Sequence, residues 1–192
     1  MKRLVCAWLV NWAFFAATAR CIAFYPEEIP FVPTPIEVVD RMLELAEVKK
    51  GDVVYDLGSG DGRMVIRAAK KFGARGVGVE MDPQLIEESK RTAKAEGVSH
   101  LVEFRQEDAL KVDISPATVV TLYMLPWFND AMRPVFQKHL KPGSRIVAHD
   151  FGIERWPPTK IEKFPQIERR PAGYVHQHTI YLWKIQDQPG SP

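Results

Sequence analysis

Beyond about residue 26 the apolar positions switch repeatedly between helical spacing and short continuous runs. Ile36, Val39, Met42, Leu43 and Ala46 keep a helical stripe, preceded by Thr34-Pro35-Ile36-Glu37 with the spacing of a capping box. Thr34 is therefore expected to cap this helix, with Pro35 in its first turn and Lys49-Lys50-Gly51 as its stop. Asp52 to Leu57 reads as a short buried strand, followed by a glycine loop from Gly58 to Gly62, a helix over about 63–72 and a strand from Gly76 to Glu80. Asp82 as cap and Pro83 as first residue open a third helix that runs to about Glu96. Further strands are expected at Val102 to Gln106, Thr118 to Tyr123 and Arg145 to Asp150. Strands alternating with helices predict an α/β fold with a parallel sheet. After Asp150, Trp156-Pro157-Pro158 breaks any long helix, and Lys160 to Phe164 with His176 to Ile185 read as a terminal antiparallel pair. Gln186 to Pro192 is a polar tail that need not be ordered.

The first 25 residues follow a different rule. Met1-Lys2-Arg3 precedes an apolar run from Leu4 to Ala19, broken only by Asn11 and Thr18. Three readings fit. One is an export signal cleaved after Ala17-Thr18-Ala19. Another is an uncleaved anchor continuing through Tyr25, and a third is a mitochondrial-type targeting segment. The chain thus divides into a leader at 1–25, one domain at 26–185 and a tail at 186–192.

Composition narrows the class. With 192 residues, 46% of them hydrophobic, the chain has room for one ordinary core. Lys2 and Arg3 are the only charges before residue 20, and without them basic and acidic residues balance at 24 against 24. A balanced chain lacks the basic surplus of a general phosphate binder, so nucleic acid is not an expected partner. Cys6 and Cys21 lie in and just after the apolar run and suggest neither a disulfide framework nor paired zinc ligands.

The chemistry concentrates in Asp56-Leu57-Gly58-Ser59-Gly60-Asp61-Gly62-Arg63, between a predicted strand and a predicted helix. Gly58 and Gly60 allow a sharp turn and a close approach of ligand to backbone, with Ser59 between them. Glu80 ends the next strand, where a carboxylate accepts hydrogen bonds from both ribose hydroxyls of a nucleoside, and Asp108 follows the third strand within reach of an adenine edge. A dinucleotide fold wants Gly-x-Gly-x-x-Gly with pyrophosphate on the helix terminus. Here the order is Gly-x-Gly-x-Gly, and Asp56 and Asp61 would repel pyrophosphate. They suit a cofactor bearing a sulfonium and an ammonium, namely S-adenosylmethionine, and so favour methyl transfer over hydride transfer.

Val54-Tyr55-Asp56-Leu57-Gly58-Ser59-Gly60-Asp61-Gly62-Arg63 followed by Gly76-Val77-Gly78-Val79-Glu80 resembles the first two signature motifs of class I methyltransferases. Pro30 to Thr34, Val119 to Pro126 and Leu140-Lys141-Pro142-Gly143 narrow the likeness. Together these segments resemble the lysine methyltransferases of the ATP synthase c-subunit and the adenine nucleotide translocase, with their prokaryotic relatives. The resemblance implies a Rossmann-like, seven-stranded, mostly parallel sheet with helices on both faces and an antiparallel last strand. It also implies a protein lysine as acceptor, a membrane protein being one such substrate, and a cofactor contact from the loop around Thr34. Membrane association through residues 4–25 fits such a partner. It conflicts with a cofactor made in the cytosol, since positive residues before an apolar run leave the domain across the membrane, so the compartment stays open.

On the acceptor side, Leu122-Tyr123-Met124-Leu125-Pro126 stands where amino-directed methyltransferases carry Asn/Asp-Pro-Pro-aromatic, without the polar first residue. Tyr123, through its face or hydroxyl, and the carbonyl before Pro126 are the catalytic candidates; Tyr123 also fits a core-capping role. His149-Asp150 ends the fifth strand, where a buried hydrogen-bonded histidine is the commoner arrangement and an acid or base the alternative. His176 and His178 share a strand face but lack a third ligand nearby, so no metal is expected. Trp127, Trp156 and Trp183 are expected to finish the core or the edge of the site. A small-molecule or lipid methyltransferase, a non-catalytic binder of the same cofactor and a dinucleotide oxidoreductase are the competing functions.

Overall fold

The computed structural model describes residues 31–169 and 175–186. The leader, the stretch to Pro30 and most of the polar tail lie outside the described residues. Parallel pairing joins β1 (Val53–Leu57) to β2 (Arg75–Glu80) on one side and to β4 (Val119–Leu122) on the other. β3 (Val102–Gln106) continues beyond β2, and β5 (Arg145–His149) beyond β4. β7 (Val175–Lys184) pairs antiparallel with β5 and with β6 (Lys160–Arg169), giving the order β3-β2-β1-β4-β5-β7-β6. The terminal pair is antiparallel as the sequence suggests, and β6 extends to Arg169. The chain leaves β1 toward β2 and returns to its other side at β4, which creates a crevice at the carboxyl end of β1.

Helices α1 (Ile36–Leu45) and α2 (Arg63–Phe72) cover one face, burying Val39, Met42, Leu43, Val65 and Ala68 against Val54, Val119, Val147 and Ile180. On the same side α3 (Pro83–Ala95) packs Ala93 against Ile66 and Ala69 of α2. The other face is covered by α4 (Pro126–His139) and by Ala109, Val112 and Ile114 of the β3–β4 connection. No element is expected at α4 from the sequence. Its signal is a stripe of Phe128, Met132 and Phe136, each fully or nearly buried, interrupted by Pro134. A proline removes one backbone donor, and burial of the aromatic stripe outweighs that loss. Among the described residues, no helix is long and apolar enough to cross a membrane.

Two expectations for α1 need correction. Thr34 does not cap it: the Pro35 carbonyl accepts from Val38 and Val39 N–H at 3.0 and 2.9 Å, so Pro35 is the cap. Glu37 then falls one position too early for a box, and proline has no N–H for it to reach. The Thr34 hydroxyl is instead spent on His149. The helix also stops before Lys49-Lys50-Gly51. Glu47 turns left-handed at φ 53°, and the N–H groups of Glu47 and Val48 close on the carbonyls of Glu44 and Leu43. At α3 the expectation holds, with Asp82 accepting from Gln84 N–H at 2.7 Å and Pro83 first in the helix.

Candidate active site

On the α1/α2 face each central strand begins apolar and ends polar. Val54 precedes Asp56, Val119 precedes Thr121 and Val147 precedes His149, each by the two-residue repeat that keeps side chains on one face. β7 runs the other way, and there His178 precedes Ile180. The core under α1 and α2 therefore becomes a polar row at the carboxyl ends of the parallel strands.

Asp56 and Thr121 are cross-strand partners, and the Thr121 hydroxyl donates to Asp56 Oδ1 at 2.6 Å. Burial pushes the Asp56 carboxyl up to about 7, against the Thr121 hydrogen bond and with help from the charges of Glu80 and Asp61. A cation at this point reverses that balance. The following loop is docked on β2, because the N–H groups of Gly58 and Ser59 both donate to the Val79 carbonyl at 2.9 Å. Gly60 N–H donates to Glu80 Oε2 at 2.9 Å, while Glu80 Oε1 accepts from Met81 and Asp82 N–H at 2.8 and 3.0 Å. Glu80 is thereby fixed at the mouth of the loop. Gly58 and Gly60 have φ of 79° and 53°; a Cβ would strike Met124 Sδ at the first and the Phe31 ring at the second. Ser59 Oγ is buried with no hydrogen-bond partner among the described residues.

Asp61 is not open to a ligand cation as its sequence position suggests. Its carboxylate is taken by the Arg63 guanidinium, with Nε–Oδ distances of 2.9 and 3.1 Å, and Arg63 Nη1 also donates to the Thr34 carbonyl at 2.8 Å. This pair pulls the segment before α1 down onto the glycine loop. Thr34 completes the same clasp through its hydroxyl, 3.2 Å from His149 Nδ1. Asp108 curls back on its own turn, accepting from Leu110 N–H and pairing with Lys111 Nζ, both at 3.0 Å. Burial raises its carboxyl, and the Leu110 and Lys111 contacts outweigh that and leave it below the usual range.

On the acceptor side the Tyr123 ring lies 4.1 Å from the His149 ring, centroid to centroid, and 6.3 Å from Phe151. Pro126 starts α4. The carbonyl before it, on Leu125, already accepts from Phe128 and Asn129 N–H at 3.0 and 3.3 Å. It is therefore not the open amine acceptor that the sequence suggests. Sequence reasoning missed Thr121, Phe31 and Met124, whose roles depend on neighbours far along the chain. Trp183 is a core residue, as expected, and its Nε1 donates to the Trp156 carbonyl at 2.8 Å.

Sheet order, glycine loop and the carboxylate ending β2 define a class I methyltransferase fold. The chain belongs to the ANTKMT methyltransferase domain family, whose model matches residues 56–160. It is 42% identical over 162 residues to the protein-lysine N-methyltransferase of Saccharolobus islandicus, covering 84% of this chain and 96% of that protein. To the ATP synthase c-subunit lysine N-methyltransferase of Xenopus laevis it is 33% identical, covering 82% of this chain and 67% of the relative. Among solved structures, the RNA methyltransferase of Salinibacter ruber in complex with S-adenosyl-L-homocysteine is 50% identical, with a TM-score of 0.75 over 84% of this chain and 98% of that one. The protein is an S-adenosylmethionine-dependent methyltransferase.

Proposed function

We propose that the protein transfers the methyl group of S-adenosylmethionine to the side-chain amine of a protein lysine. The observation that carries this reading is the 42% identity to a protein-lysine N-methyltransferase over 96% of that protein's length. The balanced charge beyond the first residues supports a protein rather than a nucleic acid as acceptor. The name of the Salinibacter ruber relative favours RNA as the second reading. The apolar run at 4–19 favours a lysine on a membrane protein, reached through a leader that keeps the 26–185 domain near the bilayer.

When bound, the cofactor supplies a methyl carbon already activated by the sulfonium. The residues present fit it: the unpartnered Ser59 hydroxyl, the two glycines and the raised Asp56 carboxyl all await a polar, cationic ligand. Glu80 would hold the ribose hydroxyls, Gly58 to Gly60 would line the cofactor backbone, and Asp56 would face its positive end. Asp108 would take the adenine side. Thr34, Asp61 and Arg63 act by holding the covering segment in place. Tyr123 orients the incoming amine, and Pro126 sets the backbone after it by opening α4. Excluding water and aligning the amine is the main task left to the protein.

The test is to incubate the full chain with methyl-labelled S-adenosylmethionine and, separately, a membrane-protein extract and total RNA. Label recovered as methylated lysine supports the proposal. Label confined to RNA, or none in protein while the chain binds the cofactor, overturns it.

A further inference from the structure

His176 and His178 lack a third ligand in the sequence around them, and the fold brings two more groups to that place. His149 from the end of β5 puts Nε2 at 2.8 Å from His178 Nδ1. Asp150 Oδ2 lies 3.3 Å from His149 Nε2, 3.7 Å from His178 Nδ1 and 2.7 Å from His176 Nε2. We propose that His149, Asp150 and His178 form a binding site for a zinc-type divalent cation, with His176 holding the Asp150 carboxylate from outside.

Three features support a site over a chance cluster. The first is spacing. Zinc sits about 2.0–2.2 Å from nitrogen and oxygen ligands, so the ligand atoms of a tetrahedral ion are about 3.3 Å apart. The triangle of His149 Nε2, Asp150 Oδ2 and His178 Nδ1, with sides of 2.8, 3.3 and 3.7 Å, straddles that value. The second is orientation. His149 is held at its far nitrogen by the Thr34 hydroxyl at 3.2 Å, and Asp150 at its far oxygen by Thr179 N–H at 2.9 Å. Such outer contacts fix ring and carboxylate geometry in metal sites. Asp150 also takes φ of 59°, uncommon for a residue with a side chain, and this turn folds its carboxylate back over β7. The third is convergence. Two imidazole nitrogens and one carboxylate oxygen from β5, the turn after it and β7 lie within 3.7 Å of one another, and His176 Nε2 closes on the same oxygen at 2.7 Å.

Burial sets the character of the site. The side chains of His149, His178 and Asp150 are 0%, 4% and 8% exposed, and His176 at 22% provides the way in. The ion takes three protein ligands, and the bond from His176 steadies the carboxylate among them. The ion staples β5 to β7 and, through Thr34 and the Tyr123 ring on His149, stiffens both the covering segment and the acceptor side. Two imidazoles with one carboxylate suit zinc over calcium or magnesium, which prefer oxygen.

The untagged full chain, stripped with chelator, is offered zinc chloride and then desalted, and bound zinc is measured by mass spectrometry. One zinc per chain and a raised thermal midpoint are expected. The affinity should fall by at least about tenfold in His178→Gln and in the partly exposed His176→Gln. Folding of both variants is checked on the zinc-free chain by far-ultraviolet circular dichroism and a cooperative urea transition, neither of which requires the ion or the lysine reading. Should His178→Gln fail to fold, His176→Gln alone decides. Cobalt substitution should give the strong visible bands of a tetrahedral centre. No retained zinc in the wild type, retention unchanged in His176→Gln, or a weak octahedral cobalt spectrum overturns the site.

Discussion

Binding of S-adenosylmethionine should depend on pH through Asp56. In the ligand-free protein, burial raises this carboxyl from 3.8 to about 7, with Glu80 and Asp61 adding to the effect against the Thr121 hydrogen bond. A bound sulfonium and ammonium favour the ionised form, so the complex forms with Asp56 deprotonated and binding releases a proton below pH 7. Only half of the protein is ready at about pH 7 and about 3% at about pH 5.5, so affinity should rise about fifteenfold across that interval. The cofactor's own amino group stays charged over this range, since α-amino groups titrate near about 8. Calorimetric titration in two buffers of different ionisation heat counts the protons directly. Close to one should leave at the acid end, and Asp56→Asn should bind weakly with no pH dependence. The same shift has the opposite sign for folding. A raised carboxyl contributes stability that is complete below 3.8 and lost as pH rises through about 7, up to about 4 kcal/mol. Ligand-free Asp56→Asn should therefore resist urea better than wild type at about pH 8. Equal affinity at both pH values, or a variant no more stable than wild type in alkali, refutes the reasoning.

Three further substitutions probe the scaffold. Glu80→Gln keeps the shape but loses the charge that gathers the N–H groups of Gly60, Met81 and Asp82, and its cofactor affinity should drop at least about tenfold by calorimetry. An unchanged affinity removes Glu80 from the site. Gly78→Ala places a Cβ 2.7 Å from Phe104 Cδ1 and 2.8 Å from Ser59 Oγ, so denaturant unfolding should show a loss of about 2 kcal/mol, and an unshifted midpoint contradicts the crowding. Arg145→Met breaks the ion pair with Asp52, 2.8 Å long with side chains 12% and 6% exposed, at a cost of about 3 kcal/mol. Burial raises Asp52, but Arg145, Thr118 and the Lys49 N–H together hold it below 3.8. Its stabilisation is thus present above 3.8 and lost as pH falls through the folded value, so the variant should unfold at higher pH on acidification. An acid transition identical to wild type counts against the pair.

What was legible in the sequence follows from how local each signal is. The strands β1, β2 and β3, the glycine loop, α2 and the Asp82-Pro83 start of α3 are written in adjacent residues and emerge within a position or so. The Thr34 partner is 115 positions away, so a complete local box pointed to the wrong role. α4 was hidden by Pro134, whose local penalty is visible while the buried stripe that outweighs it needs the tertiary core. Asp61 and Arg63 are only two residues apart. Their pairing was available from spacing alone, and recognising it would have separated Asp61 from Asp56 in role.

The polar row shows why the site itself was harder to read than the fold. A parallel strand buried on both faces is nearly continuous in apolar residues, so its alternation is masked. Tyr55 and Leu57 face one core cluster while Val54 faces the other, and Asp56 differs from its neighbours only in being polar. Seen alone, such a residue resembles the end of a strand. Three strands ending in the same way on the same face, Asp56, Thr121 and His149, make a surface, and the antiparallel β7 completes it by bringing His178 in from its amino-terminal end. Had β7 run parallel, that histidine would have entered at the opposite edge of the sheet, far from His149. The reversed last strand is thus what carries imidazoles from the end of the chain to the crevice, and it couples the terminal hairpin to the segment over the glycine loop through two bonds in series, His178 to His149 and His149 to Thr34. Thr34→Ser keeps that bond and Thr34→Val removes it at nearly constant volume. The valine variant should therefore lose about 1 kcal/mol of stability and bind cofactor more weakly, whereas serine should not. Equal behaviour of the two in denaturant and calorimetric titrations breaks the proposed link between hairpin and covering segment.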